Sequence, residues 1–389
     1  MRIVLFDYNV EGHHFTYINL ISLALYNHGY DVTILSPCTD LNKYTLQENS
    51  RVKIIPITNY PIKPDKFNFF STRNYVINLW RSTAKELDAL KLNHEKDLIF
   101  FPSIDEYITA YIPLYIVEKI FKYRWVGLYI KPRYLRVKQK YSQLRKGILN
   151  INYLLKLKTC KNIAVLDPGV TENLKKILPS KNIVFLPDVI SEDTPDNSIK
   201  EYQQIINLSS GRKIVLLIGA IDRRKGLINF IEASKMMDPS KYFFVVAGKI
   251  YKNTFSSLEQ NYLEELQQGV NNLYFFSQNI PSEANFNALI TLCDILFASY
   301  LDFPYSSNMI GKAAFFKKHI IVSKGYLMQE LVEEYDLGIA VDNDISDLIN
   351  AIEILSVKPT NEMGISNYLE EYSLSKFSHS LKELVGDFL

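Results

Sequence analysis

Short apolar runs alternate with amphipathic stretches along the first half of the chain. The run over 1–6 ends at Asp7 and is followed by a turn over 9–14, and residues 15–27 then carry apolar side chains at helical spacing. A second apolar run over 30–37 completes a strand, helix and strand, which favours a parallel sheet. Further strands are predicted at 52–57, 97–101, 125–130, 163–166 and 183–186.

The same pattern restarts after a polar stretch over 188–198 that is rich in turn-forming residues. The tail over 377–389 places its apolar residues on roughly one helical face, so we expect it to dock on a domain. In the second half, the pattern predicts a strand at 213–218, a helix at 227–237, a strand at 242–247 and shorter apolar runs at 273–276, 295–298 and 320–322.

The whole pattern predicts an α/β fold with two Rossmann-like, doubly wound parallel-sheet domains. We expect an N-terminal domain over 1–190, a linker over 191–205, a C-terminal domain over 206–365 and a helical tail over 366–389 that packs back on the body. Two such sheets facing each other form a cleft, and ligands of open parallel sheets bind beyond the carboxyl ends of the strands. Candidate chemistry should therefore lie in the turns that follow strands.

The composition narrows the class of protein without naming a partner. Of 389 residues, 47% are hydrophobic and 22% are charged, a composition that excludes a disordered or fibrous chain. The net charge of +2 gives no overall preference for nucleic acid. The cysteines Cys38, Cys160 and Cys293 are far apart, which argues against a disulfide framework and a closed zinc site. Because the sequence has neither a secretory peptide nor a spanning apolar run, we expect a cytoplasmic location.

The turn after the first strand contains Gly12, His13 and His14. It has one glycine where the dinucleotide fingerprint needs three, which disfavours a nicotinamide or flavin enzyme. Gly12 either permits close approach of an anion or a sugar hydroxyl, or belongs to a plain helix cap. One of the two imidazoles could contact an acceptor or phosphate and transfer a proton, and a surface pair is the alternative. The histidines lack the spacing of metal ligands, so we expect no zinc.

The strongest signal lies in the second half, where Gly219 and Gly226 bracket Arg223, Arg224 and Lys225 between a predicted strand and helix. Fixed cations beside a helix N-terminus can neutralise a diphosphate without a metal, and each charge pair contributes ~1 kcal/mol in water to ~4 kcal/mol near a protein surface. A solvated basic loop is the alternative. The turn therefore indicates an anion site.

Two other turns contain candidate binding groups. Ser306, Ser307 and Asn308 precede a predicted helix and could hold a phosphate or ribose, or could form an ordinary helix cap. Asp302, a few residues earlier, could contact a sugar hydroxyl. Asp105, with Glu106 beside it, follows the strand at 97–101 and could bind an acceptor or act as a base, or could cap a helix.

Through these motifs the chain resembles the GT-B fold glycosyltransferases, and in particular family 4 (group 1) of the nucleotide-sugar transferases. The family pattern of a glycine ending the first strand of the second domain, with Lys-Gly six and seven residues later, matches Gly219, Lys225 and Gly226. The resemblance also covers 163–189 and 272–342.

The resemblance implies that a nucleotide-diphosphate sugar is held chiefly by the second domain and the acceptor chiefly by the first, with retention of anomeric configuration. It implies that Lys225, and Arg224 beside it, contact the donor diphosphate. It also places Gly12 and His13 in a loop facing the donor and acceptor, and Glu330 near the donor.

The chain departs from the family pattern at three places. Ala220 stands where the family often has arginine, so Arg223 or Arg224 must supply that charge. The two family glutamates would fall near Pro304 and Lys312, neither of which is acidic. A family histidine at the end of the strand at 125–130 is replaced here by Tyr129, Ile130 and Lys131.

Residues 131–161 form a local basic run with ten cations and no acidic residue. Interleaved apolar residues make an amphipathic basic helix possible, which would suit an anionic membrane surface, while a solvated basic face is the alternative. Nucleic acid is not expected, because no recognised binding motif accompanies the run. The acidic pair Asp342 and Asp344 has the spacing of a metal motif, but we expect a polar turn before a helix.

These observations predict a metal-independent glycosyltransferase that uses no cofactor beyond the nucleotide-sugar co-substrate. The acceptor would be a glycan or a lipid-linked molecule of polysaccharide synthesis, and the enzyme would be cytoplasmic or peripheral on the inner face of the membrane. Two alternatives remain: a catalytically silent GT-B subunit that binds a sugar or a partner, and a sugar-nucleotide epimerase of the same fold. Base, sugar, acceptor and oligomeric state are not encoded in any motif of the sequence.

Overall fold

The computed structural model describes residues 1–9, 13–58, 60–63, 68–132, 135–136, 150–266 and 271–386. The chain forms two compact units. The first comprises Met1–Pro187 together with the C-terminal segment from Leu374, and the second comprises Asp188–Ser373.

The first unit is built on a seven-stranded parallel sheet with the order β3-β2-β1-β4-β5-β6-β7. The chain moves outward from β1 to β2 and β3, then returns to β4 on the other side of β1, so that Leu5 pairs with Ile34 on one side and with Phe100 on the other. This reversal is the topological switch point at which open α/β sheets bind ligands. The strands are β1 (Arg2–Phe6), β2 (Asp31–Ser36), β3 (Val52–Pro56), β4 (Leu98–Phe101), β5 (Trp125–Tyr129), β6 (Cys160–Val165) and β7 (Ile183–Phe185).

Helices cover this sheet because their apolar faces bury large side chains against the apolar side chains of the strands. Trp80 packs against Phe101, Tyr107 and Trp125, with ring centroids 4.8–5.9 Å apart. Helix α2 begins with a capping box formed by Asn68 and Ser71. The helices of this unit are α1 (His13–Asn27), α2 (Phe69–Asp88), α3 (Leu114–Ile120), α4 (Pro168–Ile177) and the C-terminal Leu374–Gly386, with 3₁₀ turns at Leu41–Lys43, Asp105–Ile108 and Ile151–Lys156.

The second unit is built on a six-stranded parallel sheet with the order β10-β9-β8-β11-β12-β13. Its strands are β8 (Lys213–Ile218), β9 (Tyr242–Ala247), β10 (Leu273–Phe276), β11 (Ile295–Ala298), β12 (His319–Ser323) and β13 (Gly338–Val341). Its helices are α5 (Lys200–Ser209), α6 (Leu227–Met236), α7 (Ser257–Leu266), α8 (Glu283–Leu292), α9 (Asn308–Phe315), α10 (Leu327–Glu334), α11 (Ile345–Val357) and α12 (Glu362–Glu371), with 3₁₀ turns at Arg223–Lys225 and Lys252–Thr254. The C-terminal helix Leu374–Gly386 is therefore α13.

The prediction of two parallel-sheet α/β domains is confirmed, since strand order and direction are those of doubly wound sheets. Strand β13 was not among the predicted strands, because its run of four residues is short and only partly buried.

The division of the chain differs in detail from the expected one. The boundary falls after Pro187 rather than after residue 190. Of the expected linker over 191–205, residues from Lys200 onward are helical, because Ile205 packs in the second unit. The expected tail over 366–389 is divided: its first residues complete α12 in the second unit, whereas α13 packs on α1, β6 and β7 of the first. Asn162 fixes α13 by donating to the carbonyl oxygen of Leu384 at 3.0 Å.

Candidate functional site

The first unit contains a cavity of about 650 Å³ at the carboxyl ends of β1, β4 and β5. This is the switch point of the sheet, where the topology leads ligands to bind. The lining mixes cations, carboxylates and hydroxyls, which suits a polar ligand with several hydroxyl groups. The lining residues are His14, Lys63, Thr72, Tyr75, Ser103, Asp105, Glu106, Thr109, Ile130 and Lys131.

A buried acid and a histidine meet at one side of this cavity. Asp7 directly follows β1, and its Oδ2 lies 3.0 Å from Nδ1 of His14 in the first turn of α1. The other oxygen, Oδ1, accepts the backbone N–H of Asn9 at 2.9 Å. A carboxylate in this position accepts a hydrogen bond from Nδ1–H and so keeps the proton of the neutral imidazole on Nδ1. The lone pair is then on Nε2. This is the arrangement that makes a histidine a proton acceptor in general base catalysis.

Burial and charge shift the pKa of both partners. Burial is the largest single effect on His14 and lowers its pKa, but the hydrogen bond and charge of Asp7, together with Glu106 and Asp105, outweigh it and raise the pKa above the usual 6.5. Burial raises the pKa of Asp7 above its usual 3.8, against the opposing effects of His14 and of the Asn9 amide. The pKa of each partner is therefore raised, that of His14 by its acidic neighbours and that of Asp7 by burial.

Asp105 binds the backbone that follows β5. Its Oδ2 accepts the N–H of Ile130 at 3.0 Å, and its Oδ1 accepts the N–H of Lys131 at 2.8 Å. Burial raises the pKa of Asp105, while these two amides and Ser103 oppose the rise. Both oxygens of Asp105 therefore hold the turn 130–131, and the carboxylate also lines the cavity. Its role as an acceptor ligand or base stays a prediction.

Glu106 joins two other elements at the cavity. Its Oε1 lies 2.5 Å from the ammonium nitrogen of Lys63, and its Oε2 accepts the hydroxyl of Tyr75 at 3.1 Å. Burial, followed by the charge of Glu106, raises the pKa of Tyr75, which therefore stays protonated as a hydrogen-bond donor. Glu106 was considered beside Asp105 in the sequence, whereas no local signal pointed to Lys63 or Tyr75.

Two sequence-predicted residues of the first unit cannot be assigned a contact. Gly12 lies outside the described residues, and of His13 only the backbone, at the start of α1, is described. The neighbouring His14 is the imidazole that the structure brings to the cavity.

In the second unit, Gly219 and Gly226 shape the predicted cationic turn. Gly219 follows β8 with φ 111°, and Gly226 precedes α6 with φ 72°, a left-handed conformation that favours glycine. The peptide N–H of Leu301 donates to the carbonyl oxygen of Arg224 at 2.7 Å, which ties the turn to the segment after β11. The turn therefore has a defined shape, whereas a solvated loop would not.

The three cations of this turn have different partners. Arg223 is exposed and directs its Nε to the two carboxylate oxygens of Glu259, at 2.9 and 3.0 Å. Arg224 is half-buried and lies 3.4 Å from Asp222, while its guanidinium carbon stands 4.5 Å from the centre of the Phe303 ring. Lys225, also half-buried, stands over the ring of Tyr300. Arg224 and Lys225 are therefore the cations best placed to receive an anion.

The turn before α9 uses its hydroxyls within the protein. Ser306 donates to Oδ2 of Asp188 at 2.5 Å, and the hydroxyl of Ser307 accepts the N–H of Met309 at 3.4 Å as the helix cap. Asn308 is the exposed first residue of α9. These contacts match the helix-cap interpretation, and the Asp188 carboxylate would repel a phosphate bound to Ser306.

Asp302 and Glu330, also predicted near the donor, are both exposed. Asp302 lies between β11 and α9 in the left-handed conformation, with φ 47°. Glu330 lies in the first turn of α10, and its role near the donor stays a prediction.

Lys312 occupies the position near which the second family glutamate would fall, and it is completely buried. Its ammonium group lies 2.6 Å from Glu283, donates to Asn287 at 2.6 Å and donates to the carbonyl oxygen of Ser191 at 2.8 Å. A buried charge needs such partners, because an unpaired one costs several kcal/mol. Lys312 thus anchors residues after the unit boundary against α8 and α9.

Of the 31 residues in the basic run over 131–161, 15 fall outside the described residues, but the flanks of the run are described. Arg136 forms a buried two-pronged ion pair with Asp167, at 2.6 and 2.9 Å. The expected amphipathic helix does not extend through the C-terminal flank, where Ile151–Lys156 is a 3₁₀ helix and β6 begins at Cys160. Leu154 and Leu155 are buried in the core of the unit, so they are not available to a membrane.

The acidic motif late in the chain is part of the fold of the second unit. Asp342 pairs with Lys324 at 2.7 Å, and Asp344 caps α11 by accepting the N–H of Ser346 at 2.8 Å. Within the described ranges, no group of three or more His, Cys, Asp or Glu side chains could hold a metal ion. Among the helices that the structure describes, none combines the length and apolar character needed to cross a bilayer.

Comparison with known families indicates the class of the second unit. Residues 198–370 match the model of the glycosyl transferases group 1, a range that contains the cationic turn, Tyr300 and α9. This segment is therefore similar to the group 1 glycosyl transferases. The comparison with curated proteins gave no match.

Solved structures are similar over the whole chain and give its fold as GT-B. Sucrose-phosphate synthase from Thermosynechococcus elongatus is 16% identical, with a TM-score of 0.70 over 99% of this chain and 98% of that chain. An α,α-trehalose-phosphate synthase (UDP-forming) from Burkholderia vietnamiensis is 10% identical, with a TM-score of 0.72 over 99% and 98%. HepE from Anabaena, crystallised with UDP-glucose, is 15% identical, with a TM-score of 0.66 over 98% of each chain.

Proposed function

We propose that this chain transfers a sugar from a nucleotide-diphosphate donor to a hydroxyl acceptor. The observation that carries the proposal is the turn 222–226, in which Arg224 and Lys225 are held on aromatic rings between two left-handed glycines. HepE, a structural neighbour, was crystallised with UDP-glucose, which supports a donor of this class.

Each cation has a role in departure of the diphosphate. When the bond between the anomeric carbon and the phosphate oxygen breaks, the electron pair stays on the diphosphate, whose negative charge increases. Arg224 can donate in-plane hydrogen bonds to phosphate oxygens, and Lys225 supplies a compact charge. Fixed charges that act on a developing charge stabilise the transition state more than the ground state. With two such cations, the proposed reaction needs no metal.

The cavity of the first unit would bind the acceptor, and its hydroxyls and charges fit a glycan hydroxyl group. In this proposal His14 accepts the acceptor proton on Nε2, while Asp7 stabilises the imidazolium that results. The pKa of His14 is raised, so the neutral base forms as the pH rises through a value above 6.5. Activity should therefore increase with pH across that range.

The acceptor would belong to polysaccharide or lipid-linked glycan synthesis. The exposed apolar residues Ile62 and Phe70 lie in sequence beside the cavity residues Lys63 and Thr72, and they favour an acceptor with a lipid portion or a membrane surface nearby. Retention of configuration is the outcome that the family resemblance implies, and a base at the acceptor would instead favour inversion. The configuration of the product decides between them.

The test is turnover of a donor panel by the purified full chain. UDP-, GDP- and ADP-sugars are incubated with simple glycans and with alkyl glycosides, and released nucleoside diphosphate and product configuration are measured. Transfer that His14→Gln lowers by about 100-fold, the lower range for loss of a general base, supports the proposal. Nucleotide binding without turnover across the panel supports a silent subunit, for which the replaced glutamates argue. Release of an epimer without acceptor identifies an epimerase.

A further inference from the structure

Two aromatic side chains lie against the cations of the turn 222–226. The ammonium nitrogen of Lys225 is 3.8 Å from the centroid of the Tyr300 ring. The guanidinium carbon of Arg224 is 4.5 Å from the centroid of Phe303 and 5.5 Å from that of Tyr300. A ring face attracts a cation within about 6 Å. We infer that Tyr300 and Phe303 are positioning residues that hold Arg224 and Lys225 ready for the donor diphosphate, an inference that rests on the proposed function.

The rings are themselves fixed. Tyr300 is only 1% exposed. Phe303 contacts it edge-on at 5.4 Å, and Tyr305 contacts Phe303 edge-on at 5.5 Å. The backbone between the rings is held as well, since Leu301 donates to the carbonyl oxygen of Arg224. Cations resting on such rings therefore lose little further freedom when an anion binds, which is the advantage of preorganisation.

A ring holds a cation without cancelling its charge. A carboxylate partner would neutralise the cation and compete with a phosphate for its N–H donors, whereas a ring face carries no net charge. A guanidinium resting on a ring face keeps the N–H groups at its edge available for phosphate oxygens. Arg223 illustrates the contrast, because its Nε points to both oxygens of Glu259 and it contacts neither ring. Arg224 also lies 3.4 Å from Asp222, so the contrast is between two cations that rest on rings and one that rests on neither ring and is bound by both oxygens of a carboxylate.

The experiment measures the affinity of the full chain for inorganic pyrophosphate and UDP by titration calorimetry. Pyrophosphate measures the contact with the diphosphate alone and requires no assumption about the nucleobase of the donor. Tyr300→Phe keeps the ring and should stay within about twofold of the unaltered chain. Tyr300→Leu and Phe303→Leu remove a ring and should weaken binding about three- to tenfold, the range expected for loss of one such contact.

A graded series guards against a variant that simply fails to fold. Fluorinated phenylalanines at position 303 keep the shape of the ring while each fluorine weakens the negative potential of its face. Affinity for pyrophosphate should fall stepwise with the number of fluorines at an unchanged thermal midpoint. A merely structural role of Phe303 would give a flat series, which overturns the inference. An affinity that rises with fluorination also overturns it, since the rings would then compete with the ligand.

The outcomes separate this inference from the proposed function. If Lys225→Gln abolishes pyrophosphate binding while all ring variants bind normally, the diphosphate site stands and the positioning role of the rings is refuted. If the unaltered chain binds neither pyrophosphate nor any of UDP, GDP and ADP, the proposed function itself fails, and the inference with it.

Discussion

Gly226 packs so closely on the segment after β11 that a β-carbon at Gly226 would lie 2.7 Å from the carbonyl oxygen of Ser299. The same β-carbon would lie 3.3 Å from two ring carbons of Phe297. The Ser299 contact is with backbone, which cannot rotate away, and the Phe297 ring is buried. The close approach is what brings the cationic turn beside the ring of Tyr300.

Gly226→Ala should therefore destabilise the second unit by more than backbone strain alone. Gly211→Ala is the matched control, because Gly211 has φ 79° against 72° for Gly226 but has nothing within 4 Å of its β-carbon position. We expect Gly211→Ala to lower the free energy of unfolding by about 1–2 kcal/mol and Gly226→Ala by about 2–5 kcal/mol, once overpacking is added. Urea unfolding measures both, and equal losses would refute the close contact.

Removing the Asp105 carboxylate should destabilise the turn after β5. Asp105→Ala removes the acceptor of the half-buried N–H of Ile130 and of the exposed N–H of Lys131, which should cost about 1–3 kcal/mol as two hydrogen bonds of about 0.5–1.5 kcal/mol each. Ser103→Ala, which removes only a 3.3 Å hydrogen bond to the same carboxylate, should cost less than about 1 kcal/mol. Chemical denaturation of the two variants gives the comparison. Similar small losses would mean that Asp105 does not hold this turn.

The pKa of His14 should depend on Asp7. In the unaltered chain the imidazole should titrate above pH 6.5, and in Asp7→Asn, where burial remains but the charge is lost, the pKa of His14 should be lower than in the unaltered chain. Protonated His14 then stabilises the fold fully below pH 6.5, and this contribution disappears as pH rises through the raised pKa. NMR titration of the histidine ring protons reads the values directly. Asp40→Asn, outside the cavity lining, is the control, and an unchanged His14 pKa in Asp7→Asn would contradict the pairing.

The hydroxyl of Ser306 should not contribute to diphosphate binding. Because it donates to Asp188 at 2.5 Å, we expect Ser306→Ala to leave UDP affinity within about twofold. Ser307→Ala should lower stability by about 1 kcal/mol through loss of the helix cap, again with little change in affinity. Calorimetric titration of both variants is the measurement. A tenfold loss in either would restore the phosphate interpretation of this turn.

The sequence predicted the strands of the second unit well, because buried parallel strands are continuous apolar runs. Strands 213–218, 242–247, 273–276 and 295–298 have the same bounds in the structure. The cationic turn was also predicted from the sequence, because its glycines and charged residues lie in one continuous segment of the chain.

Contacts between residues that are far apart in the chain could not be predicted from the sequence. His14 lines the cavity and lies 3.0 Å from Asp7, a pairing that residue spacing alone does not indicate. Tyr300 and Phe303 lie about 75 residues after the cations that they hold, and only the parallel pairing of β8 with β11 brings them together. Likewise, the apolar face of α13 predicted docking, but its attachment to the first unit follows from tertiary packing.

The central claim is that Arg224 and Lys225 bind the diphosphate of a nucleotide. The most direct test is the affinity of UDP, GDP and ADP for the full chain and for Arg224→Gln, Lys225→Gln and Arg223→Gln. The account predicts that at least one nucleoside diphosphate binds, that each of the first two changes weakens it about tenfold or more, and that Arg223→Gln alters it by less than about twofold. Equal losses in all three variants, or diphosphates that bind no tighter than the corresponding nucleosides, would contradict it.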